Sequence, residues 1–289
     1  MLLFAVLVSG CGASASRTLD STIPRTLGAT DPISLVELEA AFVGLEMMVG
    51  RQLRLGVNDE SAYVYELDGN VALDRWADVR ALTHQTGYYP VLLGSTEPFD
   101  PFDTGQLEIA WQSVITGAEA PTTPVASDDF DLAEWTQHRE ADPTIGSVSL
   151  DIVAPLPEYD GPKHNFISHV NLFENRPHNR VVMLLVPTTS PWRVASLLQL
   201  GGFNNSPLPA EHEALHKLWF DRFGAEIVSA SPDQIEMSVA RPPTTDTEAI
   251  KLGVEHYLYA PDLVWQGTQE VSVLASSLVD NTSWYFWWD

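Results

Sequence analysis

AEIVSASPDQIEMSVARPPTTDTEAIKLGVEHYLYA, residues Ala225–Ala260, is the stretch that decides the fold. AEIVSAS and QIEMSVA flank a turn at Ser231, Pro232 and Asp233. In the second of them Ile235, Met237 and Val239 alternate with polar neighbours, the period of two of a strand with one buried face. The spacing predicts a hairpin. Thr245 with Glu248 three residues on makes a capping box, and Ile250, Gly253, Val254, Tyr257 and Leu258 recur at helical spacing, so a helix is predicted directly after the hairpin.

Working outward, VVMLLVP (Val181–Pro187) is a short valine-rich apolar run bounded by turn residues, which reads as a central strand. Ser190 and Pro191 then open a helix carrying Val194, Leu197 and Leu198, with Gly201 and Gly202 to end it. After FNNSP a second helix runs from Pro209 to Phe223, with Leu215, Leu218, Trp219 and Phe223 on one face and Gly224 in the left-handed capping position. Downstream, Thr268 is expected to cap a last helix bearing Val271, Leu274, Ala275, Leu278 and Val279, and WYFWW (Trp284–Trp288) closes the chain as a strand. The resulting order is β-α-α-β-β-α-α-β. It predicts an α+β fold in the split βαβ manner, a mixed or antiparallel sheet covered by helices, over a C-terminal domain of residues 157–289.

The N-terminal half is a smaller α/β region, residues 33–156. It holds a helix candidate at Leu35–Met48, an alternating strand YVYEL (Tyr63–Leu67), a helix around Ala72–Thr83 and a strand YYPVLL (Tyr88–Leu93). Residues Thr96–Gly146 are rich in Asp, Glu, Pro and Thr and read as an acidic connection, periodic only at Ile109–Val114 and Leu132–Trp135. Ahead of all this, MLLFAVLVSGC (1–11) is half the length needed to span a bilayer. A short apolar run ending in small residues is a signal peptide, and Val8-Ser9-Gly10-Cys11 resembles the lipobox of bacterial lipoproteins; an ordinary secretory signal is the other reading. Cleavage before Cys11 would leave that thiol to be lipidated, and Cys11 is the only cysteine of the 289 residues. A disulfide framework and a cysteine-zinc site are thereby excluded. Residues 12–32, small, polar and proline-bearing, read as a disordered tether. Gly12 rather than Asp after the cysteine suggests, by analogy with lipoprotein sorting, the outer membrane facing periplasm or cell surface.

A formal charge of −24 argues against nucleic acid as a partner and leaves the lipid anchor as the expected contact with membrane. Twelve arginines to three lysines is a bias read as nucleotide composition. His212-Glu213-Ala214-Leu215-His216 matches H-E-x-x-H on a predicted helix, where His212 and His216 could share a zinc ion and Glu213 could activate a water. Against that stand the charged neighbours Glu211 and Lys217 and the lack of a third ligand; two histidines at the boundary of an apolar stripe are the alternative. His164, His169 and His178 fall in a loop-rich segment and read as solvent-exposed. No nucleophile elbow, P-loop or dinucleotide fingerprint occurs. The candidate binding residues are Asn204 and Asn205 in one loop, Asp262 and Gln266 in another, and Trp288 on the last strand, both loops being expected at one end of the domain.

WRVASLLQLGGFNNSP, H-x-A-L-x-x-W with FGAE, D-x-I-E, R-P-P with E-A, Y-x-P-D-x-V-x-Q-G and the ending WYFWWD together resemble the bacterial family called domain of unknown function 4253, over residues 179–289, with RALTHQTGYYPVLLGS (Arg80–Ser95) resembling its upstream segment. The resemblance implies no established activity. It does imply that the position of His212 is kept among relatives without a histidine matching His216, and that Ser206 and Ala260 stand where many relatives carry cysteine. Two functions follow as expectations. One is a non-catalytic envelope module, without cofactor, that binds an envelope protein or small ligand at these loops; the other is a zinc-dependent hydrolase built on the HEALH helix.

Overall fold

The computed structural model describes residues 31–45, 47–55, 60–95, 130–145, 148–161, 163–172 and 174–289. Cys11, the apolar run before it and the stretch Ile109–Val114 lie outside them, as does nearly all of the expected tether. No helix among the described residues is long and apolar enough to cross a membrane.

The described elements run α1 (Leu35–Ala41), β1 (Met48–Leu55), β2 (Glu60–Leu67), α2 (Ala72–Ala81), α3 (Thr83–Thr86), β3 (Tyr89–Ser95) and α4 (Leu132–Ala141), then a small ladder of β4 (Val170–Asn171) and β5 (Arg176–Pro177). They continue through β6 (Val181–Val186), a 3₁₀ turn (Pro191–Arg193), α5 (Val194–Leu197), α6 (Pro209–Phe223), β7 (Ala225–Ala230) and β8 (Gln234–Val239). Last come α7 (Asp246–Tyr259), a π-helical turn (Leu263–Thr268), α8 (Val271–Leu278) and β9 (Ser283–Trp287). The mixed sheet and its helices make an α+β fold, in the element order that the spacing predicts for the C-terminal part.

Seven strands form one sheet in the order β1-β2-β6-β3-β7-β8-β9, so it draws strands from either side of residue 156. Every junction is antiparallel except β3 with β7, which share the single parallel pair Leu92 and Ser229. This corrects the split βαβ arrangement: β6 lies between β2 and β3 and is separated from β7 by β3. Side chains reinforce that junction. Tyr89 Oη donates to the Ile227 carbonyl at 2.8 Å, and Arg80 Nε donates to Glu226 Oε2 at 2.7 Å while its Nη2 reaches the other carboxylate oxygen.

Local corrections have local causes. The helix expected over Leu35–Met48 stops at Ala41, and Gly44, at φ 92°, turns the chain into β1. The cap expected at Thr268 falls instead at Glu270, because Thr268 lies in the π-helical turn and donates to the carbonyls of Leu263 and Glu270. Ser190 makes no side-chain cap, and the first helix ends at Leu197 before its glycines. By contrast, Thr245 accepts from the Glu248 amide as expected, and Gly224 closes α6 at φ 62°.

Candidate functional site

The helix α6 begins at Pro209, whose missing amide costs nothing at a first-turn position, and Glu211 accepts from the Leu208 amide at 2.7 Å. From that start the 3.6-residue period carries His212, His216, Trp219 and Phe223 onto the buried face. The histidines are therefore not boundary residues: His212 is 0 % and His216 1 % exposed. They meet a residue from the end of α7. Tyr259 Oη lies 2.7 Å from His212 Nδ1 and 2.7 Å from His216 Nε2. A phenol has one proton, so Tyr259 donates to one imidazole and accepts from the other.

Ser206 Oγ extends the chain, 3.3 Å from His212 Nε2, whereas His216 Nδ1 has no partner among the described residues. Around this relay stand Trp219, Phe286 and Trp288, all edge-on to Tyr259 at 4.8 to 5.2 Å between ring centroids. Burial in this aromatic shell pushes both imidazoles down, His212 to about 3 with Arg139 adding to the effect, and His216 further disfavoured by His212. His256, buried against Trp219 and Trp284, is lowered for the same first reason. Neutral imidazoles of this kind are poor proton acceptors at pH 7.

Glu213 does not join them. It points off the other side of α6, accepting from Ser196 Oγ and lying 3.6 Å from Arg193 Nε. The H-E-x-x-H spacing thus places its two histidines together and its glutamate elsewhere, and no group of three His, Cys, Asp or Glu among the described residues could hold a metal ion.

The two candidate loops do share one end of the domain, joined by a turn that the spacing did not single out. Thr144 Oγ1 donates to Asn205 Oδ1 at 2.7 Å, and Asn205 Nδ2 donates back to the Thr144 carbonyl at 3.3 Å. Next to it, Tyr257 Oη donates to the Ile145 carbonyl at 2.7 Å and also contacts the Trp265 side chain. Arg139 Nε donates to the Leu258 carbonyl and its Nη2 to the Asn205 carbonyl, tying α7 to the first loop. Asn204 and Asn205 both hold left-handed backbone, at φ 43° and 63°. Gly201 is fixed by contact: a Cβ there would sit 1.9 Å from the Pro207 carbonyl oxygen and 2.6 Å from His212 Nε2.

Asp262 and Trp288 prove to be buried supports. Asp262 accepts from Gln266 Nε2 at 3.1 Å and from the Asp289 amide at 2.9 Å, and Trp288 Nε1 donates to the Tyr259 carbonyl at 3.1 Å. The end offers both kinds of surface to solvent: Asn204, Gln266 and Gln269 are exposed, and so are three large apolar side chains, Phe203 and Trp265 at 38 % each and Leu208 at 49 %.

On the opposite face of the sheet lies a cluster the sequence did not reveal. Glu236, 2 % exposed, accepts from the amides of Ile167 at 2.7 Å and Ser168 at 3.2 Å and from Ser229 Oγ at 2.6 Å, with His164 Nε2 at 3.1 Å. Burial opposes its charge, yet the hydrogen bonds and His164 hold the carboxyl below its usual range. His164 and His178 are accordingly not solvent-exposed loop residues; His164 stacks on Tyr285 and His178 is buried.

Ser206, Tyr259, Arg139 and Glu236 were absent from the sequence-based candidates. Only Tyr259 left a usable signal, since Leu252, His256 and Tyr259 recur at i, i+4 and i+7 on α7. No curated protein and no solved structure matches the chain. Residues 182–289, which contain the relay, both loops and Glu236, match the family model described as Domain of unknown function (DUF4253).

Proposed function

We propose that this chain is a non-catalytic binding module of the cell envelope, lipid-anchored at Cys11, that engages an envelope protein or small ligand through the end formed by residues 201–208 and 261–269. One observation carries the reading: Phe203, Leu208 and Trp265 present apolar surface on two loops braced by the same turn, while the polar groups behind them bond to one another. Exposed apolar groups on rigid loops are the usual anchors of recognition. Net acidity adds that the partner is not a polyanion.

The zinc-hydrolase alternative has no observation in its favour. Its two histidines face a phenol, its glutamate faces Ser196 and Arg193, and among the described residues no third ligand converges on them.

The test is a crosslinking capture from envelope membranes with the wild-type chain and with Phe203→Ser/Trp265→Ser. A partner retained by the first and lost by the second supports the reading; identical captures overturn it. The anchor is tested separately, by fatty-acid labelling that Cys11→Ser should abolish.

A further inference from the structure

β9 is the last strand of the sheet, with β8 on one side and, among the described residues, no strand on the other. Its register identifies which backbone groups face the open side. The Trp288 amide donates to the Asp233 carbonyl and the Val239 amide to the Thr282 carbonyl. In an antiparallel ladder, hydrogen-bonded pairs alternate with pairs that bond outward, so Trp284 and Phe286 bond to β8 while Ser283, Tyr285 and Trp287 direct their amides and carbonyls away from it. Ser283 is partnered, its amide donating to Asn281 Oδ1 at 3.2 Å and its hydroxyl to the His164 carbonyl. Among the described residues no group bonds the amide or carbonyl of Tyr285 or Trp287.

Proteins guard free edges with bulges, prolines or charges because an unguarded edge recruits another strand. The opposite edge follows that rule: β1 breaks register between Val49 and Gln52. β9, SWYFW, has no proline, no charged residue and no break in register. Its side chains also suit a straight ladder, since Tyr285 and Trp287 stack at 5.3 Å on the face away from α6.

We propose that the free edge of β9 is a strand-addition site for an extended partner segment that places a basic residue at the Trp287 end. An added strand would satisfy the outward groups of Tyr285 and Trp287 by main-chain bonds, the source of affinity in such complexes. Charge chooses the partner. Asp233, Asp262 and Asp289 gather where β9 ends, the Trp288 and Asp289 amides meeting Asp233 and Asp262. Lys163 lies at the other end of β9 and donates to the carbonyls of Val279 and Asp280. Pairing with a second copy would bring together two chains of formal charge −24, which disfavours that occupant. The proposal shares Asp262 with the loop end described above, but its main-chain bonds come from backbone groups of β9 that the loops do not contribute.

The experiment is amide hydrogen exchange and fluorescence titration of the soluble chain with the peptide Lys-Val-Thr-Val-Thr-Val-Lys and its glutamate-ended counterpart. Expected are saturable binding, new protection at Tyr285 and Trp287, and a preference for the basic peptide of roughly tenfold. Trp287→Thr, which keeps the amide, should bind within about threefold of wild type, and Trp287→Pro, which removes an amide that no β8 group uses, should weaken binding about tenfold or more. Unchanged exchange at Tyr285 and Trp287, or equal loss in both variants, would overturn the proposal. If Trp287→Pro does not fold, the wild-type exchange result decides alone. Protection of the same amides in a peptide-free dimer would overturn it in favour of self-pairing. Phe203→Ser/Trp265→Ser should bind the peptide like wild type, which separates this site from the loop end.

Discussion

The two faces of β8 and β9 solve the same problem in opposite ways. On the face toward α6, titratable side chains are kept neutral inside an aromatic shell: burial lowers the pKa of His212, His216 and His256, and among the described residues His216 Nδ1 and His256 Nε2 lack partners. On the other face one carboxylate is kept charged by the four donors that converge on Glu236. Burial disfavours charge on both faces, so what differs is the supply of hydrogen bonds. Where donors are plentiful the ion survives; where rings surround the group, the proton leaves.

That contrast predicts two separate acid windows. The folded pKa of each buried histidine lies below its unfolded value of 6.5, so the unfolded chain binds more protons and stability falls as the pH drops below about 6.5. Between pH 7 and 5 each histidine should remove about 2 kcal/mol and the three together ~6, a large part of a typical domain's stability. Glu236, also lowered from its unfolded value of 4.5, contributes stability above that pH and begins to lose it only below. Urea titrations at stepped pH should show the first loss well above pH 4.5. A flat profile from pH 7 to 5 would falsify the neutral-histidine account.

Glu236→Leu should cost about 4 kcal/mol, because it strips one acceptor from four donors, and exchange should rise at Ile167 and Ser168. Next comes Tyr259→Phe, which leaves a nitrogen of each histidine without its partner and should cost about 3 kcal/mol in the same assay. If instead this variant is as stable as wild type, the relay is merely adjacent and not bonded. The smallest change is expected at Phe203→Ser/Leu208→Ser, which should cost about 2 kcal/mol in all, since each side chain is only about half buried.

Much of the fold was legible because its signals are local. Thr245 caps α7, Gly224 ends α6, and the alternation over Ile235–Val239 marks β8, each a property of a few neighbouring residues. The site was legible only in part. The loops carrying Asn204, Asn205, Asp262 and Gln266 do share one end, but their bracing by Thr144 and Ile145 joins residues 61 and 112 positions apart. No periodicity reports such contacts. Tyr259 is hard to single out because the apolar spacing marks the stripe through Tyr257 and Leu258 as the buried face, whereas the helix buries Leu252, His256 and Tyr259 as well. β1 is hidden for the opposite reason: an apolar helical period runs on past Ala41, where the helix stops, and the turn through Gly44 into the strand leaves no periodic signal.

The placement of β6 between β2 and β3 has a consequence in time as well as in space. β2 and β3 are synthesised first, and although β2 can pair with β1 at once, neither β2 nor β3 can pair with β6 until Val181–Val186 has left the ribosome. At ordinary elongation rates the stretch from Ser95 to Val181 takes roughly 5–15 seconds to make. For that interval the nascent chain carries two strands that lack their common partner, each with an edge open to pairing.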